Sequence, residues 1–297
     1  MSTHSMYGTD TVPANPALAG ARVTFARVLR SEWRKLFSLR SASILLVCGA
    51  AVMLLFSGGL SLIMGLQMDS VEVDVPWAMV AQMGGLGLQI GGLLVAANAV
   101  VNLAGEYTTH TAVSTYSAVP RRGLVYLAKI LINGAIGFVF GAVCHGLAML
   151  VTGLVFAATG HGVVSDGRLV TEALISGLYV FLLVCMGLGL GALMRNTTGA
   201  VVTVAVFVYV ISNVLVGLSF MGNKVVGWFA NHLPTAAVDA LRPSNNALSG
   251  ATDADIAAAG MTPVEQLAAW DIWLTIGFWA IVPLALGYLA TVRRPVR

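Results

Sequence analysis

The sequence predicts an all-α, polytopic membrane protein with six transmembrane helices and both termini cytoplasmic. Three observations carry that expectation. Apolar residues make up 58% of the 297-residue chain and charged residues only 10%, against about 45 to 50% and about 25% in a soluble domain, so a water-facing surface cannot be built. Charge-poor apolar stretches of roughly 20 residues, the length that crosses about 30 Å of hydrocarbon as a helix, recur six times. The basic residues cluster on one side of those stretches.

Taken in order, residues 1–20 are rich in Pro, Ala, Ser and Thr with one acid, Asp10. They lack the basic start and short apolar core of a cleavable signal peptide and are expected to form a disordered cytoplasmic tail. Residues 21–40, "ARVTFARVLRSEWRKLFSLR", place Phe25, Leu29, Trp33 and Leu36 on one helical stripe and Arg27, Arg30 and Arg34 on another. That is the pattern of an amphipathic interfacial helix in the headgroup plane. A polybasic orientation signal explains the same residues equally well.

The spans are expected near 41–66, 78–104, 125–158, 173–194, 199–220 and 269–291, within a transmembrane domain of residues 41–292. They must be helical, because hydrocarbon offers no partner to an unpaired backbone group. The third is long enough that its first turns, up to Lys129, are expected at the headgroups. If the amino terminus is inside, 13 of the 16 Lys and Arg fall on inner segments, including the basic tail 293–297. Only Arg168, Lys224 and Arg242 then lie outside, and nearly all acids lie outside or at the outer boundary, as the positive-inside rule requires.

Glycines four apart, Gly87 with Gly91, Gly137 with Gly141 and Gly187 with Gly191, predict close helix-to-helix approach. The outer segment 221–268 is interrupted by Pro234 and suits short interfacial or re-entrant helices better than a seventh span. It closes on "TPVE" at 262–265, a helix-start signature that places the beginning of the last helix outside the bilayer.

Several chemistries lack their parts. No span centre carries a charge, which disfavours a proton-coupled carrier. The histidines show no ligand spacing, and His145 reads as an interhelical hydrogen-bonding residue. "GLGLG" at 187–191 follows no strand, and there is no nucleophile elbow, no carboxylate pair in a span and no P-loop. Cys48, Cys144 and Cys185 all sit in apolar runs as packing residues. No catalytic residue, cofactor or metal is therefore expected on this chain, and no nucleic-acid partner.

Neutral polar residues remain in the spans. Gln82 and Gln89, seven apart, share one face of the second span. Interhelical hydrogen bonding accounts for such residues, and so does a cavity for a mostly apolar solute; on the second reading the path is lined by Gln82, Met83 and Gln89 with Thr203, Phe207 and Asn213 of the fifth span.

The inner loop 105–123, "GEYTTHTAVSTYSAVPRRG", is the longest polar interruption in the first two thirds of the chain. Its hydroxyl residues interleave with Ala112, Val113, Tyr116 and Val119, enough for a helix of about three turns that Pro120 ends and Arg121 and Arg122 tie to headgroups. Such a helix is a lever on two spans or simply rests on the inner leaflet.

Together, "RVLRSEWRKLFSLRSASILL" (27–46) and "GEYTTHTAVSTYSAVPRRGLVYLAKI" (105–130) resemble the membrane subunit of ABC-2-type ATP-binding cassette transporters, in its six-span, actinobacterial, type V exporter-like form. The resemblance extends over essentially the whole chain through helix count, topology and the enlarged outer segment. It implies that the amino-terminal helix is a connecting element and that loop 105–123 carries a coupling helix docking on a separately encoded ATPase. Glu106 and Tyr107 fall on the family's Glu-Tyr, and Pro120, Arg121 and Arg122 on its Pro-Arg-Arg, with Thr108, Thr109, His110 and Thr111 between. Relatives commonly have Gly-Thr where this chain has His110-Thr111, which leaves the local backbone path of the segment open.

The expectation that follows is a permease subunit that forms a homodimer or a heterodimer with a related permease among the membrane lipids. It exports a hydrophobic or amphipathic small molecule, peptide or lipid, driven by Mg-ATP on the partner ATPase. A non-transporting immunity or sensor subunit and a membrane-embedded enzyme are the rival classes.

Overall fold

The computed structural model describes residues 24–38, 40–68, 74–109, 111, 121–164, 166–219, 221, 223–248 and 267–294. They form α1 (Phe25–Ser38), α2 (Arg40–Gln67), α3 (Trp77–Gly85), α4 (Leu88–Thr108), α5 (Arg122–Ala158), α6 (Arg168–Met194), α7 (Thr197–Ser219), α8 (Lys224–Asn231), α9 (Pro234–Asp239), α10 (Pro243–Leu248) and α11 (Ala269–Arg293). Helices α2, α4, α5, α6, α7 and α11 are each long and apolar enough to cross a membrane. This is the architecture of a multi-pass membrane protein. No strand occurs among the described residues; the connections α2–α3 and α5–α6 meet instead in an isolated bridge, where the Val75 amide donates to the Gly162 carbonyl at 2.7 Å.

Helices α4 and α6 form the centre, while α2, α7 and α11 bury little of their surface within the chain and turn apolar side chains outward. The most extensive contact is α5 on α6. Gly141 and Gly177 make it possible: a Cβ on Gly141 would lie 2.5 Å from the Ser176 carbonyl oxygen, and one on Gly177 2.7 Å from that of Phe138. The glycine pairs seen in the sequence therefore mark real backbone contacts, with Gly187 and Gly191 facing α4 and Gly87 and Gly91 facing α2.

The stretch 78–104, expected as one span, is two helices. A turn at Leu86–Gly87 separates α3 from α4, and Gly87 abuts the backbone of Met53 so closely that a Cβ would sit 2.5 Å from its Cα. A window average over apolar residues cannot register such a break. Helix α7 carries a π-helical stretch, Val206–Ile211, which aims Tyr209 at the carbonyl of Gln89 on α4. The segment after α7 folds into the short helices α8, α9 and α10; α9 lies against α6 and α11, and α10 against α3.

Helix α1 turns a different stripe to the bundle from the apolar one seen in the sequence. Its buried face is Val28, Glu32 and Leu36, whereas Phe25, Trp33 and Phe37 point outward, with Trp33 and Phe37 rings 4.7 Å apart. The stripe packed on the bundle lies one residue to the side of Phe25, Leu29 and Trp33, and apolar residues alone do not reveal it because it contains an acid. The tail 1–20, His110, residues 112–120 with Pro120, and the motif at 262–265 lie outside the described residues.

Candidate functional site

Charged groups gather at two places, one at each end of the bundle. At the end that carries α1, Glu32 and Lys35 of α1 meet Glu106 in the last turn of α4 and Lys129 two turns into α5. Lys129 Nζ lies 2.6 Å from Glu32 Oε2 and 3.0 Å from Glu106 Oε1, and Lys35 Nζ 2.9 Å from Glu32 Oε1 and 3.2 Å from Glu106 Oε1. Two acids and two bases thus alternate in a closed ring. Lys129 is only 1% and Glu32 3% exposed. Two carboxylates and the side-chain and backbone oxygens of Asn102 surround the Lys129 ammonium within the bundle.

The ring also fixes protonation. Burial alone would raise the Glu32 carboxyl, but Lys129 and Lys35 outweigh it and hold it below its ordinary value. Burial would lower Lys35, yet Glu106 and Glu32 push it up. Around the ring, bases cap helix ends: Arg195 and Arg122 donate to the carbonyl of Arg294, and Arg294 donates to that of Leu193. The Arg195 guanidinium lies 4.8 Å from the Tyr107 ring centroid. Thr108 and Thr109 both donate to Gly105 O, closing α4, and Thr111 Oγ1 lies 3.0 Å from Thr109 Oγ1. Arg27, Arg30 and Arg34 line a basic cleft along α1 together with Lys35 of the ring.

At the opposite end, α6 contributes Glu172, Ser176 and Tyr179. Arg242, in the turn between α9 and α10, reaches Glu172 at 3.2 Å, Asp239 at 2.8 Å and the Ser176 hydroxyl at 3.0 Å. Glu172 also accepts the backbone N–H of Ser244. Beneath them His145 joins Ser176 to the Ala81 carbonyl, so its expected interhelical bonding is seen. These groups border a cavity of 350 Å³ lined by Gln82, Gln89, Tyr179, Thr235, Asp239, Arg242 and Asn245 among others.

Of the residues expected along a solute path, the fold brings Gln82 and Gln89 to this cavity. Met83 packs instead with Val80, Met149 and Phe156. Thr203 bonds to its own helix, donating to Gly199 O, and Asn213 does likewise to Tyr209 O. Phe207 stacks on Trp279 and lines a separate, aromatic groove of 840 Å³ between α7, α8 and α11. Thr203, Phe207 and Asn213 do not line this cavity, whose other wall is formed by α9 and α10. Glu172, Asp239 and Arg242 were expected only to lie outside or at the outer boundary; a polar residue at each flank of an apolar run gives no sign that chain segments 70 residues apart will pair.

Among the described residues no group of His, Cys, Asp and Glu could hold a metal ion. Neither protein-family models nor curated proteins give a match to the chain.

Proposed function

We propose that the protein is the membrane subunit of an ABC-2-type transporter, with both termini cytoplasmic. It moves a hydrophobic or amphipathic solute outward on force supplied by a separately encoded ATPase. The charge ring is the observation that carries this reading. Glu106 stands at the start of loop 105–123, which leads into α5, where Lys129 sits; both side chains are tied to each other and to α1. A push on the loop is therefore delivered to α1, α4 and α5 as one body. A loop that served only as a connector would not need its root clamped by four buried or half-buried charges, whose desolvation is costly. On this reading Glu106, Tyr107, Thr108, Thr109, His110, Thr111, Pro120, Arg121 and Arg122 face the ATPase, and Mg-ATP binds on that partner. A second copy or a related permease completes the path.

Proteoliposomes carrying the chain with an ABC ATPase that co-purifies with it test the proposal. ATP-dependent solute movement is expected, lost in Glu106→Arg or on deletion of 108–117 while membrane insertion persists. Uphill transport by the chain alone, or unchanged transport in those variants, would sink it.

A further inference from the structure

Helix α1 carries charge that the ring does not use. It lies on α5, where Val28 packs with Val125 and Ala128, and its Glu32 and Lys35 belong to the ring. Glu32 and Glu106 are the only acids at this end among the described residues, and Lys35 and Lys129 already balance them. Arg27, Arg30 and Arg34, spaced three and four residues apart, follow one face of α1. Arg30 and Arg34 are exposed and make no ion pair among the described residues. With Ser31, Lys35 and Ser38 the three arginines line a cleft of 410 Å³. Neither serine offers it a donor, since Ser31 gives its proton to Val28 O at 2.7 Å and Ser38 to Lys35 O at 2.8 Å. The side-chain donors of the cleft are therefore all cationic.

A second observation says what kind of anion fits. Trp33 and Phe37 stand beside Arg30 and Arg34 at helical spacing, each 49% exposed and with their rings 4.7 Å apart. Helix α1 ends at Ser38 and the apolar helix α2 starts at Arg40. This face of α1 thus lies where a span enters the bilayer, at the depth of the lipid headgroups. An acidic soluble partner could meet the guanidiniums but would leave the indole and phenyl rings in water. A phospholipid has a phosphate for the first and acyl chains for the second.

We propose that this face of α1 is a seat for an anionic phospholipid: Arg30 and Arg34, with Arg27, donate to its phosphodiester oxygens, and its acyl chains lie along Trp33 and Phe37. Guanidinium forks match phosphate oxygens two at a time, which a diffuse attraction to the leaflet does not require. A zwitterionic headgroup brings its own cation to a cleft that already holds Arg27, Arg30, Arg34 and Lys35, so the anionic headgroup is preferred. The seated lipid fastens α1 to the leaflet on one side, while the ring fastens it to α4 and α5 on the other.

The seat does not rest on the transport reading, because lipid binding needs no ATPase. The test is binding of pyrene-labelled phosphatidylglycerol to the full chain in dodecyl maltoside, read by energy transfer from the protein's tryptophans. Unlabelled phosphatidylglycerol is expected to displace the probe at a concentration about tenfold lower than phosphatidylcholine does, and inorganic phosphate at millimolar concentration not at all. Replacing both Arg30→Gln and Arg34→Gln is expected to weaken the probe about tenfold or more. Arg30→Gln alone should act in the same direction by less, and serves if the double variant does not fold. Equal displacement by the two lipids, displacement by inorganic phosphate, or undiminished binding in the folded variants overturns the proposal. So does a double variant that loses a co-purifying ATPase while keeping the lipid, which would assign the arginines to a protein partner. Lipid binding as expected without ATP-driven transport would leave the seat standing and remove the transport reading instead.

Discussion

The two charged clusters obey the same electrostatics and differ in one count. At the α1 end two acids face two bases, every adjacent pair lies within 3.2 Å, and the ring is closed. At the α9 end two acids share one base and a cavity adjoins them. A balanced buried cluster has nothing to gain from a further ion and acts as a fastener. An unbalanced one beside open space can still gain a counter-charge. Charge count and not charge density distinguishes the two clusters.

The sharpest way to break the contrast is Lys129→Met. It leaves Glu32 buried with only half-exposed Lys35 beside it, and a loss of about 3–5 kcal/mol is expected from thermal unfolding in detergent. Adding Glu32→Gln should recover much of that loss, because the stranded charge goes with it; no recovery would mean that packing, not pairing, holds α1. Next comes the α5–α6 contact that joins the two ends. Gly177→Ala places a methyl 2.7 Å from the Phe138 carbonyl oxygen, and about 1–3 kcal/mol of destabilisation is expected in the same measurement.

Acid titration separates the clusters by sign. Glu32 is held below its ordinary 4.5, so its contribution is complete above that value and disappears as pH falls through the lower folded value. Asp239 is raised above its ordinary 3.8; the folded state takes up its proton first, so acidification through that window favours the native α9 end. Lys35, raised above 10.5, contributes below that value and loses its effect as pH rises through the higher folded value. Hydrogen exchange followed by peptide should show the α9 end gaining protection on mild acidification before the α1 end loses any. The reverse order contradicts the charge assignment. The smallest effect is expected for Arg30→Gln in the basic cleft of α1, within about 0.5 kcal/mol of the parent on unfolding. A larger change would place Arg30 inside the ring's network.

Much of the fold was legible because the bilayer dictates it. Residues 41–66, 125–158 and 173–194 read as helices from hydropathy alone, and Gly137 with Gly141 announced the α5–α6 approach. His145 showed its role because a lone polar side chain on an apolar helix needs a partner. The break at Leu86–Gly87 was not legible, since its cause is Met53 on another helix. Nor was the ring: Glu32, Glu106 and Lys129 each look like an ordinary charge at the flank of an apolar run.

By itself the sequence determined the six apolar helices, because no other structure satisfies a backbone in hydrocarbon, and it determined which faces carry small residues. Only the tertiary structure decided which acid meets which base. Ion pairing depends on distances of about 3 Å between residues that are up to 97 positions apart, as Glu32 and Lys129 are, and hydropathy along the chain contains no term for that. The same packing joined Glu172 and Asp239 to one Arg242, and so placed the cavity where composition showed only a polar loop.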